Sequence, residues 1–122
     1  MPVKILIIAD HPATAQFISG VLAIKGFESV VAPGGQIGID KAREEKPALI
    51  FLDVMLPGLD GIETCRKLKE CPETSNIPKI IISIWKSAED KKRGFEAGCV
   101  DYIVKPFEIG KLIEAARKFL PK

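Results

Sequence analysis

Five times along this chain a short run rich in Ile, Leu and Val gives way to an amphipathic stretch, and few folds accept that pattern. The runs at 3–9, 28–32, 49–53, 79–84 and 100–104 predict strands. Several are nearly continuous in apolar residues, as expected of parallel strands covered on both faces. The intervening stretches 12–25, 34–45, 61–70, 87–97 and 107–119 predict helices. The first brings Phe17, Val21 and Ile24 onto one side, and the last does the same with Ile109, Leu112, Ala116 and Phe119. Gly38 weakens the second, since glycine inside a helix costs about 1 kcal/mol relative to alanine. Asp60 and Ser87 suit N-caps, and Gly26 and Gly98 suit left-handed residues closing a helix. Right-handed β-α-β connections then favour an α/β fold: a doubly wound five-stranded parallel sheet with helices on both faces.

At 122 residues the chain fits one domain spanning 1–122. No stretch approaches 18 apolar residues and no signal peptide is evident, so neither membrane insertion nor secretion is expected and a cytoplasmic location is the default. Cys65, Cys71 and Cys99 are odd in number, form no CxxC pair and accompany a single histidine, His11. That gives little basis for a zinc or iron–sulfur site and favours reduced thiols. A net charge of +2 is too small to argue for nucleic acid. Direct nucleic-acid binding is not expected, because no second helical unit remains to read bases. The basic run Lys91-Lys92-Arg93 is explained by a solvated helix face, with docking to an acidic partner as the alternative.

In such sheets ligands bind beyond the carboxyl ends of the strands, near the switch in strand order. Asp10, Asp53, Ser83 and Lys105 all fall at that edge, each at the end of a different apolar run. Two neighbouring carboxylates repel in low dielectric unless a cation sits between them. Mg²⁺ suits Asp10 and Asp53, with a backbone carbonyl of the Val54-Met55 loop as a further ligand. Asp10 could also cap the helix starting near Pro12, which is compatible with metal binding. Lys105 could simply balance charge, or its ammonium could meet a phosphoryl oxygen. The Ser83 hydroxyl could donate to the same group. No GxGxxG follows a strand and no GxxxxGK[ST] loop is present, so nucleotide binding is unsupported. His11 is better read as a surface or capping residue than as a general base, and no Ser or Cys shows a base partner.

Three motifs carry a family resemblance. They are Ile5-Leu6-Ile7-Ile8-Ala9-Asp10-His11-Pro12, Phe51-Leu52-Asp53-Val54-Met55-Leu56-Pro57-Gly58-Leu59-Asp60-Gly61, and Glu96-Ala97-Gly98-Cys99-Val100-Asp101-Tyr102-Ile103-Val104-Lys105-Pro106-Phe107. Over essentially its whole length the chain resembles the receiver domain of two-component response regulators, especially the free-standing chemotaxis kind. The resemblance implies a flavodoxin-like (βα)5 sheet of strand order 2-1-3-4-5. It implies that Asp53 accepts a phosphoryl group from a histidine kinase or phosphotransfer protein, as in a phosphorelay, with Mg²⁺ held by Asp10, Asp53 and Met55. It further implies that Lys105 pairs with the bound group, that Ser83 moves to it, and that Tyr102 turns inward in response. Lys105-Pro106 resembles the family's cis peptide, and the region 87–119 resembles the face that meets a downstream protein target. Such domains assist their own phosphorylation and dephosphorylation without being conventional turnover enzymes.

Departures from the family pattern sharpen the expectations. Ala9 stands where the family generally has the first of two acidic residues, which implies weaker Mg²⁺ binding. Met55 and Trp85 flank the water that would attack the acyl phosphate and offer no group to orient it, which implies a long-lived phosphorylated state. Trp85 could instead be an exposed docking residue. Ile84 replaces a small residue and could narrow the phosphoryl pocket or restrict Tyr102. A phosphorylation-independent protein-binding adaptor is the main alternative, and a small metal-dependent phosphatase on the same fold is a weaker one. The sequence stops at Leu120-Pro121-Lys122, directly after the last helical stretch, which fits a single-domain regulator or an excised piece of a longer protein.

Overall fold

Alternating residues along the strands point to opposite sides of the sheet, so runs that are apolar throughout demand a cover on each side. The computed structural model, which describes residues 4–54 and 59–120, has that arrangement. Its elements are β1 (Lys4–Ile8), α1 (Pro12–Ile24), β2 (Glu28–Ala32), α2 (Gly35–Glu45), β3 (Leu49–Val54), α3 (Leu59–Glu70), β4 (Lys79–Ser83), α4 (Ala88–Glu96), β5 (Asp101–Val104) and α5 (Ile109–Phe119). All strand pairs are parallel and the order is β2-β1-β3-β4-β5, as the family resemblance implies.

Two cores result. Ile5, Ile7, Leu49, Phe51, Ile80 and Ile82 face α1 and α5, where Ile18, Leu22, Leu112 and Ala116 meet them. Leu6, Ile8, Ile50, Leu52 and Ile81 face the other way, against Ala42, Cys65 and Leu68 of α2 and α3. Each such side chain, fully buried, contributes roughly 1.5–3 kcal/mol relative to exposure.

The expected face of α1 needs correction. Val21 is buried, but Phe17 and Ile24 point outward, Ile24 being 83% exposed. The helix is apolar on more than one side, so its larger residues do not mark the inner face; Ala15, Ile18 and Leu22 occupy it instead. Likewise Ile109 of α5 is half exposed while Leu112 and Ala116 are buried.

Gly38 lies inside α2 for a packing reason: a Cβ there would stand 2.5 Å from Cδ1 of Ile8. The helix thus rests against β1 at a distance no side chain permits. Gly26 and Gly98 do follow helices with positive φ, at 86° and 114°. Ser87 caps α4 through a capping box, its Oγ accepting from the Asp90 N–H at 3.0 Å. Asp60 is not an N-cap, since α3 already includes Leu59. Nor is Asp10, because His11 holds that position ahead of α1 without a side-chain bond. The Pro12 ring at the first helical turn needs no N–H there.

Candidate functional site

Because β1 lies between β2 and β3, the connections leaving β1 and β3 run to opposite faces of the sheet and open a crevice at their carboxyl ends. The pairing of Ile8 with Leu52 carries Ala9 and Asp53 to the same level one residue further on. The crevice holds about 230 Å³ and is bounded by Ala9, Asp10, Gly34, Gly35, Asp53 and Thr64. Asp53 is only 7% exposed, while Asp10 stands at the surface.

On the other side of Asp53, β5 delivers Lys105. Its backbone N–H donates to the Ser83 carbonyl at 2.8 Å, extending the β4–β5 ladder by one rung. Its Nζ lies 2.7 Å from Asp53 Oδ1, a close ion pair. Neither oxygen of Asp53 receives a hydrogen bond among the described residues. Burial pushes the Asp53 carboxyl above the usual carboxylate range, opposed by Lys105; Asp10 adds to the rise and His11 counters it. A desolvated carboxylate with unused lone pairs, beside a second carboxylate across a crevice, fits an oxygen-seeking divalent cation. Lys105-Pro106 is a cis peptide, as the resemblance implies.

Ser83 ends β4 fully buried, and its Oγ accepts from the Trp85 N–H at 3.0 Å. The Trp85 carbonyl in turn accepts from the Tyr102 hydroxyl at 2.5 Å. Burial raises the Tyr102 phenol above its ordinary value, with the nearby Ser83 hydroxyl pulling the other way. The structure therefore brings Asp10, Asp53 and Lys105 around one point, and links Ser83 to Tyr102 through the backbone of Trp85. Trp85 itself is 37% exposed and Ile84 is exposed beside it. Met55, with Leu56, Pro57 and Gly58, lies outside the described residues.

Sequence reasoning missed the far wall of the crevice. Thr64, buried midway along α3, and the Gly34-Gly35 pair at the start of α2 come there from two different helices. No local pattern marks them, because only the packing of α2 against α3 brings them together. Among the described residues no group of three His, Cys, Asp or Glu side chains converges as a metal cluster, and no helix is long and apolar enough to cross a membrane.

Comparison with known proteins gives a consistent result. The family described as "Response regulator receiver domain" matches residues 5–117. The chain is 35% identical over 117 residues to the DNA-binding dual master transcriptional regulator RpaA of Synechocystis sp., covering 96% of this chain and 48% of that protein. The polar-differentiation response regulator DivK of Brucella anthropi is 30% identical, with 98% of each chain covered. The chemotaxis protein CheY4 of Vibrio cholerae superposes with a TM-score of 0.90 at 25% identity, covering 98% of this chain and all of that one. The chain thus spans about half the length of relatives such as RpaA and nearly all of DivK.

Proposed function

The chain belongs to the response regulator receiver domain family, and on that premise we propose that it is a phosphoacceptor switch in which Asp53 takes a phosphoryl group from a protein phosphohistidine. A carboxylate oxygen of Asp53 attacks phosphorus as the P–N bond breaks. The histidine nitrogen keeps the electron pair of that bond, and the product is an acyl phosphate on Asp53. The observation that carries this reading is the buried Asp53 carboxylate, held 2.7 Å from the Lys105 ammonium and without a hydrogen bond among the described residues.

Lys105 has the reach to follow the added negative charge, because its compact ammonium acts as a mobile point charge. Asp10 and Asp53, with the carbonyl of Met55, are the residues that would hold Mg²⁺. When bound, Mg²⁺ neutralises charge on the phosphoryl oxygens during transfer. Ser83 would exchange its bond with the Trp85 N–H for one to the phosphoryl group, which perturbs the Trp85–Tyr102 link. The phosphorylated protein then presents an altered 87–119 face to a downstream protein target. A groove of about 580 Å³ lies there, lined by Lys86, Lys91, Tyr102, Lys111 and Lys118.

A second reading, a protein-binding adaptor that works without phosphorylation, is favoured by one observation. In the crevice beside Asp53, position 9 contributes the methyl of Ala9, which leaves Asp10 as the other acid lining it among the described residues. Incubation with Mg²⁺ and acetyl phosphate, followed by intact mass measurement, separates the two. The expected result is one added phosphoryl group that is absent in Asp53→Asn; no mass gain in the wild type would favour the adaptor.

A further inference from the structure

Gly94 sits in the interior of α4, where an alanine would suit the helix better. The helix itself gives no reason for a glycine, since its backbone there is ordinary and right-handed. The reason lies across the interface. A Cβ on Gly94 would stand 3.1 Å from Cδ2 and 3.2 Å from Cε2 of Tyr102, and 3.1 Å from Cδ1 of Ile81. Those distances are shorter than carbon atoms in contact normally keep. The ring cannot simply slide away along β5, because its hydroxyl is tied to the Trp85 carbonyl. Ile81 cannot yield easily either, being fully buried in the sheet.

We infer that Gly94 is the positioning residue for Tyr102: the missing side chain forms the slot that lets the ring lie against α4 while its hydroxyl holds the Trp85 carbonyl. This rests on the reading above only in making the slot part of the switch; the slot itself stands on the geometry. The glycines of α1 and α5 behave differently. A Cβ on Gly20 or Gly110 would meet nothing within 4 Å. Gly94 is also the one buried residue of α4, so this contact is where the helix seats on the sheet. A methyl at 94 therefore requires the ring or Ile81 to give by a few tenths of an ångström, and a shift of the ring alters the groove it lines with Lys86, Lys91 and Lys111.

The chain has one tyrosine and one tryptophan, which makes the test direct. Protein labelled with 3-fluorotyrosine gives a single ¹⁹F signal, and Trp85 fluorescence reports the other end of the hydroxyl link. Gly94→Ala should shift the ¹⁹F signal toward that of exposed fluorotyrosine and, in the unlabelled protein, lower the phenol titration toward the ordinary value of 10.0. Gly20→Ala should leave both unchanged. Phosphoryl uptake at Asp53 in Gly94→Ala should match the wild type, which an unfolded or collapsed variant could not do.

A denaturation cycle keeps the idea testable should Gly94→Ala fold poorly. The substitution should lower the unfolding midpoint when Tyr102 is present and lower it distinctly less in a Tyr102→Ala background, where the Ile81 contact remains but the ring is gone. A ¹⁹F signal and titration unmoved by Gly94→Ala, or equal effects on the midpoint in both backgrounds, overturns the inference. If the wild-type ¹⁹F signal ignores phosphorylation while Gly94→Ala still displaces it, the slot stands and the switching role of Tyr102 falls.

Discussion

The Lys105 ammonium lies 2.7 Å from Oδ1 of Asp53, yet burial still holds that carboxyl above its ordinary range. Desolvation outweighs the ion pair. A carboxyl whose folded pKa exceeds its unfolded value of 3.8 binds its proton more tightly in the folded state. Its contribution to stability is present at low pH and is lost as pH rises through the folded value. At neutral pH the ionised side chain therefore costs stability. Asp53→Asn should be more stable than the wild type at neutral pH. The gain should shrink as pH is lowered toward the unfolded value, measured by urea denaturation across the range. A destabilised Asp53→Asn at neutral pH would show that the ion pair dominates.

Ser83 supplies the acceptor for the Trp85 N–H at 3.0 Å, inside the best-buried end of the sheet. Ser83→Ala leaves that donor without its side-chain partner and should cost about 1 kcal/mol in equilibrium unfolding. It also removes a hydroxyl proposed to donate to the phosphoryl group, so uptake from acetyl phosphate should slow by at least about tenfold. Ser83→Thr keeps the hydroxyl and should recover most of both. Recovery of stability without recovery of uptake would assign Ser83 to packing alone.

Ala9 is almost fully buried, level with Asp53 and on the wall of the crevice. Ala9→Asp adds a third carboxylate to a site with too few donors, so the metal-free variant should be less stable than the wild type. Mg²⁺ should bind it more tightly, by about tenfold or more. Titration followed by Trp85 fluorescence measures the affinity, and denaturation with and without Mg²⁺ measures the linked stability. Equal affinity in the two proteins would mean that position 9 does not see the cation.

The layered sheet was legible because apolar periodicity is a local property, and four of the proposed site residues were legible because each closes such a run. The inward face of α1 was not, since a helix with apolar residues on several sides carries only a weak signal to orient it. Phe17 and Ile24 were misassigned for that reason. Gly38 looked like a weakness in α2 and proved to be a close contact with Ile8, which no window of neighbouring residues can reveal. The same holds for Thr64 and Gly94: their significance comes from residues about 30 and 8 positions away respectively, brought near by packing. Sequence alone located the strand ends; only the assembled layers supplied the walls between them.

The three thiols, alike in the sequence, should differ sharply in reactivity. Burial pushes Cys65 up to about 11 and Cys99 up to about 12. Each packs within the core between the sheet and α3, so at mildly alkaline pH each is almost wholly protonated and shielded. Cys71 follows α3 at the surface, half-buried, with Sγ 3.9 Å from Glu73 Oε1. A disulfide reagent applied to the native protein should therefore label Cys71 first. The other two should react only at the rate of opening, and all three should react in denaturant. Cys71→Ser should abolish the fast phase, and mass mapping of the labelled peptides checks the assignment. Fast labelling at Cys65 or Cys99 would mean that α3 lifts from the sheet far more readily than its buried Leu68 and Cys65 contacts imply.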